Sequence, residues 1–179
     1  MGEKRHNVYF IGAGPGGPGF LTLEGKEALE QCSLVFALDP YPETFAAFLA
    51  GKEVRDPLEY GFVEITRKVG DALKRCDVAF LVPGDMTIFS PFLPVLEHFE
   101  ACGRVIAGVG VMNAAAAILK KTLEMPGVSN SVVLTSPKRL GGDEGGGEFS
   151  MLARAAGTMV LFMNNRPVKE LSTQLLEGF

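Results

Sequence analysis

The stretch Asn7–Thr22, NVYFIGAGPGGPGFLT, decides the fold. Four apolar residues (Val8, Tyr9, Phe10, Ile11) run into a turn of glycine and proline, and an amphipathic segment starts near Thr22. That order predicts a strand, a loop built for close backbone approach, and a helix. Two readings compete for the loop. Residues 12–17 satisfy G-x-G-x-x-G, the dinucleotide fingerprint. In that fingerprint the helix opens within the glycine turn, so that its N-terminus meets the pyrophosphate. Here Pro15 and Pro18 interrupt the segment. Proline has no N–H and keeps the preceding residue out of helical geometry. Thr22 is the first residue suited to an N-cap, with Glu24 in the first turn. The loop is therefore too long and too poor in donors for a pyrophosphate. Asp39, after the second apolar run, imitates the ribose-binding acid. A nicotinamide-dependent Rossmann oxidoreductase is the weaker reading.

Outward from this stretch, strands and helices alternate. Leu34–Leu38 is the next predicted strand, and Thr44–Ala50 a short helix behind Pro40 and Pro42. Phe62, Ile65, Val69 and Leu73 recur at helical spacing, which predicts a helix over Glu59–Arg75. Val78–Val82 is a continuous apolar run, as expected of a strand buried on both faces, and ends at Pro83-Gly84-Asp85. A helix over Phe92–Ala101 and a strand over Arg104–Ala107 follow. This βαβα order predicts an α/β fold with a mainly parallel sheet. The pattern breaks at Gly108–Gly110, which divides an N-terminal α/β domain (1–108) from a C-terminal one (112–179). The second opens with an alanine-rich helix and supplies two clear strands, Ser131–Thr135 and Met159–Met163. A helix over Pro167–Glu177 ends it. Two strands are marginal as a layer, so the second domain reads as short or incomplete.

Composition narrows the function classes. The chain has 179 residues, is 47% hydrophobic and 21% charged, and carries a net charge of −4. These values describe a folded chain with no general nucleic-acid surface. Cys32, Cys76 and Cys102 are odd in number and widely spaced, which argues for a reducing, cytoplasmic setting and against a disulfide framework. No Cys/His spacing suggests a metal site, and no apolar run is long enough to span a membrane.

Six ordered segments carry a family resemblance: VYFIGAGPGGPGFLT, CSLVFALD, VAFLVPGDMTIFSP, GVGVMNAAAA, LEMPGVSNSVVLTSP and TMVLFMNN. Together they resemble the tetrapyrrole (corrin/porphyrin) methylases, and within these the precorrin-4 C-11 methyltransferases. The resemblance implies two α/β domains with a cofactor cleft between them, S-adenosylmethionine (SAM) as cofactor, a tetrapyrrole substrate and a homodimer. It implies that Pro15 lines the cleft floor and that Pro83, Gly84, Asp85 and Ile88 form a cofactor loop. Gly110 and Val111 match the linker beside the methionine part of SAM, and Met163 the contact to the adenosyl moiety. Relative to the family the second domain looks shortened. Gly17, Met86 and Ala107-Gly108-Val109 depart from the common pattern, where aspartate, proline and proline-glycine-valine stand. A homologue that binds SAM or substrate without turnover is the alternative.

The chemistry suits such a site without the family name. SAM needs apolar walls and backbone groups that can approach closely, and Gly84 stands at the carboxyl end of a buried strand, where α/β sheets place ligands. The macrocycle is itself the nucleophile, so no strong general base is required. Asp85 and Asp39 are the candidates for substrate orientation or proton removal. Each residue also has a structural reading: Asp85 as a turn cap, Asp39 bonded to its own backbone, Met163 as core. His98 is expected on the surface and His6 in solvent. Lys138 and Arg139 form a wet basic loop or a contact to substrate carboxylates.

Overall fold

The computed structural model describes residues 6–137, 151–152, 154 and 157–176. The chain partitions into two compact units, Met1–Ala114 and Ala115–Phe179.

In the first unit, strand β1 (Val8–Gly14) leads to helix α1 (Leu23–Gln31), which runs directly into β2 (Cys32–Ala37). Two one-turn helices follow, α2 (Tyr41–Thr44) and α3 (Ala46–Leu49), then the short strand β3 (Glu53–Arg55) and helix α4 (Phe62–Ala72). Strand β4 (Asp77–Pro83), helix α5 (Leu93–His98) and strand β5 (Gly103–Ile106) complete the order, and helix α6 (Val111–Leu119) begins in the first unit and ends in the second. The sheet runs β3-β2-β4-β1-β5, and every neighbouring pair is parallel.

The pleat sorts side chains onto two faces. Val8, Phe10, Phe36, Val78, Phe80 and Val82 pack against Ile65 and Val69 of α4 and Val95 of α5. Ile11, Val35, Ala79 and Leu81 pack on the other face against Ala28 and Leu29 of α1, Tyr41 and Phe45. On the first face Phe10, Phe80 and Phe36 form a stack, with ring centroids 5.0 and 4.7 Å apart. All three are fully buried, so truncating Phe80 to alanine removes about 3–5 kcal/mol.

Local chemistry sets the element ends. Thr22 Oγ1 accepts from Gly25 N at 3.0 Å and caps α1, as its sequence position predicts. Lys52 Nζ donates to the Glu30 and Cys32 carbonyls at 3.1 and 2.7 Å, which satisfies the far end of the same helix. His6, expected in solvent, instead lies 3.3 Å from Asp77 Oδ1 with its side chain only 15% exposed. The same carboxylate accepts Asn7 N at 2.7 Å and tethers the entry to β1. His98 is exposed as expected, edge-on to Phe62 and Phe99.

The second unit contains β6 (Val132–Thr135), β7 (Thr158–Leu161) and α7 (Val168–Leu176). The two strands are parallel, with Val133 opposite Met159. Its core is small: Leu171 is buried, and Leu152, Met159, Leu161 and Leu175 pack around it. Ser129 Oγ and Thr158 Oγ1 lie 2.7 Å apart, and Thr158 Oγ1 donates to the Leu123 carbonyl at 2.7 Å, pinning the approach to β7. The strand expected to reach Met163 stops at Leu161. Met163 itself takes φ +53°, a left-handed conformation that no strand residue adopts.

Candidate functional site

The carboxyl ends of β1 and β4 are neighbours whose connections leave in opposite directions. β1 continues through α1 toward β2, on one face, and β4 continues through α5 toward β5, on the other. This is a topological switch point, where open α/β sheets bind ligands. The loops that meet there are the ones singled out by the sequence.

A reciprocal pair of hydrogen bonds joins Gly14 and Gly84 across the two strand ends. Gly14 N donates to the Gly84 carbonyl at 3.1 Å, and Gly84 N to the Gly14 carbonyl at 3.0 Å. Both residues have positive φ, +77° and +66°, a region that costs a residue with a side chain about 1–2 kcal/mol. The Gly14 carbonyl takes a second bond, 2.7 Å, from the buried Tyr41 hydroxyl. Burial pushes the Tyr41 phenol pKa up, and backbone hydrogen bonding from Gly16 and Gly84 opposes this only in part. The dinucleotide reading fails here on physical grounds: the amides of Gly14 and Gly84 are spent on each other, and α1 starts only at Leu23.

Two further glycines join them. A Cβ on Gly12 would lie 2.5 Å from Gly108 Cα, and a Cβ on Gly108 would lie 2.3 Å from the Gly84 carbonyl oxygen. Three backbones touch at a spot where no side chain fits. Asp85 fastens the contact from the side. Its Oδ2 accepts Gly108 N at 2.7 Å, while Oδ1 accepts Thr87 N at 2.8 Å and the Thr87 hydroxyl. Partial burial pushes the Asp85 pKa up, but the bonds from Thr87 and Gly108 outweigh it and hold the carboxyl below its ordinary range.

The remaining candidates fall into three places. Pro83, the last residue of β4, is exposed, and Ile88 and Pro15 are half-buried in the loops leaving β4 and β1. Gly110 and Val111 open α6 on the far side of Gly84: a Cβ on Gly84 would meet only Val111 N, at 3.7 Å. Asp39 stands exposed beyond the end of β2, and among the described residues its carboxylate has no partner. Met163 lies in the second unit, 49% exposed. Lys138 and Arg139 lie outside the described residues. The first unit thus places Pro15, Pro83, Gly84, Asp85 and Ile88 at or just beyond the carboxyl ends of β1 and β4, and Gly110 and Val111 at the start of α6, with Asp39 set apart at the end of β2. Sequence reasoning missed Tyr41, Thr87, Gly12 and Gly108 as parts of this arrangement. In the sequence Gly108 marks a break in the pattern and a stretch that departs from the family, with no sign of this contact.

A concavity of about 350 Å³ lies elsewhere, between the β2–β3 edge and the end of α4. Arg55, Arg67, Lys68 and Arg75 line it together with Glu53 and Asp71. Glu53 pairs with Arg55, and Asp71 with Arg67 and Lys74. It is a groove on a charged, solvated face, and it has none of the close backbone approach found at the switch point. No group of three His, Cys, Asp or Glu able to hold a metal occurs among the described residues. No helix among them is long and apolar enough to cross a membrane.

Comparison with known proteins agrees with the geometry. The chain is 33% identical over 178 residues to a precorrin-4 C(11)-methyltransferase of Mycobacterium tuberculosis (strain CDC 1551 / Oshkosh), covering 96% of this chain and 71% of that protein. The solved structure of a cobalamin biosynthetic enzyme, cobalt precorrin-4 methyltransferase, superposes with a TM-score of 0.84 at 25% identity, covering 96% of this chain and 74% of that one. The uroporphyrin-III C-methyltransferase of Thermus thermophilus, solved in complex with S-adenosylhomocysteine, shares the fold with a TM-score of 0.70 at 24% identity, over 97% of this chain and 73% of that one. Residues 7–179 match the family described as Tetrapyrrole (Corrin/Porphyrin) Methylases, and the chain belongs to that family.

Proposed function

We propose that this chain is a SAM-dependent C-methyltransferase that acts on a precorrin-type tetrapyrrole of corrin biosynthesis, at C-11 of precorrin-4. The observation that carries the reading is the open face of Gly84 at the switch point, in a chain that aligns with a precorrin-4 methylating relative over 96% of its length.

The residues present fit the cofactor. The absence of a side chain on Gly84 leaves room beside the Val111 amide that a Cβ would fill, and Pro83, Ile88 and Val111, close to it in the chain or in space, are apolar residues. Among the described residues the amides of Gly110, Val111 and Met112 have no acceptor, as the first turn of a helix requires. They are suited to a carboxylate such as the one SAM carries. Bound SAM would supply an electrophilic methyl group on a positively charged sulfur. What the chain supplies is position and exclusion of water, the terms that dominate when the substrate carbon is itself the nucleophile. In this reading Pro15, Pro83, Gly84, Ile88, Gly110 and Val111 hold the cofactor. Asp85 orients the loop, because both its oxygens are already engaged by backbone and hydroxyl donors. Asp39, exposed and without a partner among the described residues, is the carboxylate proposed to orient substrate or take a proton.

We further propose a cytoplasmic homodimer. Three free cysteines suit a reducing compartment, and Ile118, Leu119, Val132 and Leu134 expose apolar surface on the second unit. Incubation with precorrin-4 and methyl-labelled SAM tests the activity. One labelled methyl group should appear on the macrocycle. Tight cofactor binding with no transfer to any precorrin would instead favour a non-catalytic homologue.

A further inference from the structure

The Gly14–Gly84 pair has no side chains of its own to hold it. Glycine populates positive and negative φ with similar ease, so two facing glycines at φ +77° and +66° stay in register only if something outside them limits the choice. Two groups reach the pair. Asp85 acts from the Gly108 side. Tyr41 acts from the other side and belongs to neither loop.

We infer that Tyr41 is a positioning residue of the switch-point site: its hydroxyl, bonded to the Gly14 carbonyl, locks the loop after β1 onto Gly84 and so sets the geometry of the cofactor-facing backbone. The inference rests on the cofactor reading proposed above for its functional part, while the lock itself stands on the geometry alone.

Tyr41 is built to be rigid. Its ring stacks on Phe45 with centroids 5.5 Å apart and 20° between planes. Its own amide donates to the Leu38 carbonyl at 2.8 Å, and its carbonyl accepts Phe45 N at 2.8 Å. The residue is only 7% exposed. The hydroxyl is therefore held in place before any ligand arrives, and its bond to Gly14 costs no further side-chain ordering. The Gly14 carbonyl has two lone pairs, one used by Gly84 N and the other by Tyr41. Removing the hydroxyl leaves that carbonyl still bonded once, so the fold survives, but the pair loses its tie to Tyr41 on the α2 side. Burial, which disfavours the ionised phenol, keeps Tyr41 a donor across the working pH range.

The test is Tyr41→Phe in the intact chain, with two readouts. Titration with S-adenosylhomocysteine should show about tenfold weaker binding than wild type, the effect of one well-placed hydrogen bond. Amide exchange at Gly14 and Gly84 should speed up by about tenfold while Phe10 and Phe80 exchange as in wild type, since the opening is local. An unchanged affinity in the variant overturns the inference. So does exchange that rises equally at all four amides, which would make Tyr41 a general stabiliser of the fold. If wild type itself ignores S-adenosylhomocysteine, the cofactor reading fails, and the exchange pattern alone then decides whether the lock exists.

Discussion

Gly108→Ala strikes the point where three backbones meet. An added methyl carbon would stand 2.3 Å from the Gly84 carbonyl oxygen, 2.6 Å from Gly12 Cα and 2.7 Å from Gly12 C. Carbon and oxygen approach comfortably to about 3.3 Å, and two carbons to about 3.5 Å, so every contact is short by roughly 1 Å. None of the obstructing atoms belongs to a side chain that can rotate away. The linker itself must move, and its bond from Gly108 N to Asp85 Oδ2, now 2.7 Å, stretches beyond hydrogen-bonding range. Overpacking of this kind costs about 1–3 kcal/mol, and loss of a bond to a carboxylate about 1.5 kcal/mol at a half-exposed site. Reduced freedom of the unfolded chain returns about 0.4–1 kcal/mol. The net loss is about 2–4 kcal/mol, a large share of a typical stability of about 5–15 kcal/mol. Urea denaturation followed by far-UV circular dichroism measures it, since the chain has no tryptophan to report by fluorescence. Gly17→Ala is the internal control. Gly17 has φ −76° and nothing within 4 Å of an added Cβ, so that variant should match or slightly exceed wild type. A Gly108→Ala protein within about 0.5 kcal/mol of wild type, the range of an ordinary surface change, would refute the triple contact.

Three further expectations follow from the same region and the core beneath it. Asp85→Asn should cost about 1–2 kcal/mol at neutral pH, because an amide offers one acceptor oxygen where the carboxylate offers two. The folded pKa of Asp85 lies below its ordinary 3.8, so its contribution is complete above that value and is lost as pH falls through the folded pKa. The gap between wild type and Asp85→Asn, followed by denaturation from pH 7 downward, should therefore hold steady and then close in acid; a gap that widens in acid contradicts the bonding. Gly84→Val forces a β-branched residue into φ +66° and fills the space beside Val111, so it should lose roughly 2 kcal/mol of stability together with all heat of S-adenosylhomocysteine binding. Normal binding by that variant would move the cofactor away from this loop. Cys32, whose thiol burial and the nearby Asp77 carboxylate push up to about 12, should resist alkylation at pH 8 in the folded chain while the half-buried Cys76 and Cys102 react first. Peptide mass spectrometry after brief alkylation reads the order directly.

Much of the first unit was legible because its strands are buried on both faces. Val8–Ile11 and Val78–Val82 are runs that only a central parallel strand explains, and Thr22 announced the start of α1. The short edge strand β3, Glu-Val-Arg, escaped because three residues with charges at both ends carry no period. The helix expected over Thr44–Ala50 is broken at Phe45 into α2 and α3, a turn that apolar spacing does not reveal. At the site, Pro83, Gly84 and Asp85 were readable from their place at the end of a buried strand. What Asp85 does was not, since its partner Gly108 lies 23 positions away and offers only a backbone amide. Tyr41 gave no signal at all: its role depends on the Gly14 carbonyl, 27 residues earlier, and hydrogen bonds to backbone leave no mark on side-chain pattern. The meeting of Gly12, Gly84 and Gly108 is likewise a fact of three dimensions, visible in sequence only as three glycines near three strand ends.

The most direct test of the central claim is a pair of calorimetric titrations on the wild-type chain, one with S-adenosylhomocysteine and one with NAD. The amides of Gly14 and Gly84 are bonded to each other and the face of Gly84 is open beside Val111. Saturable heat with S-adenosylhomocysteine and none with NAD is the expected result. Saturable binding of NAD with no response to S-adenosylhomocysteine would contradict the methyltransferase reading.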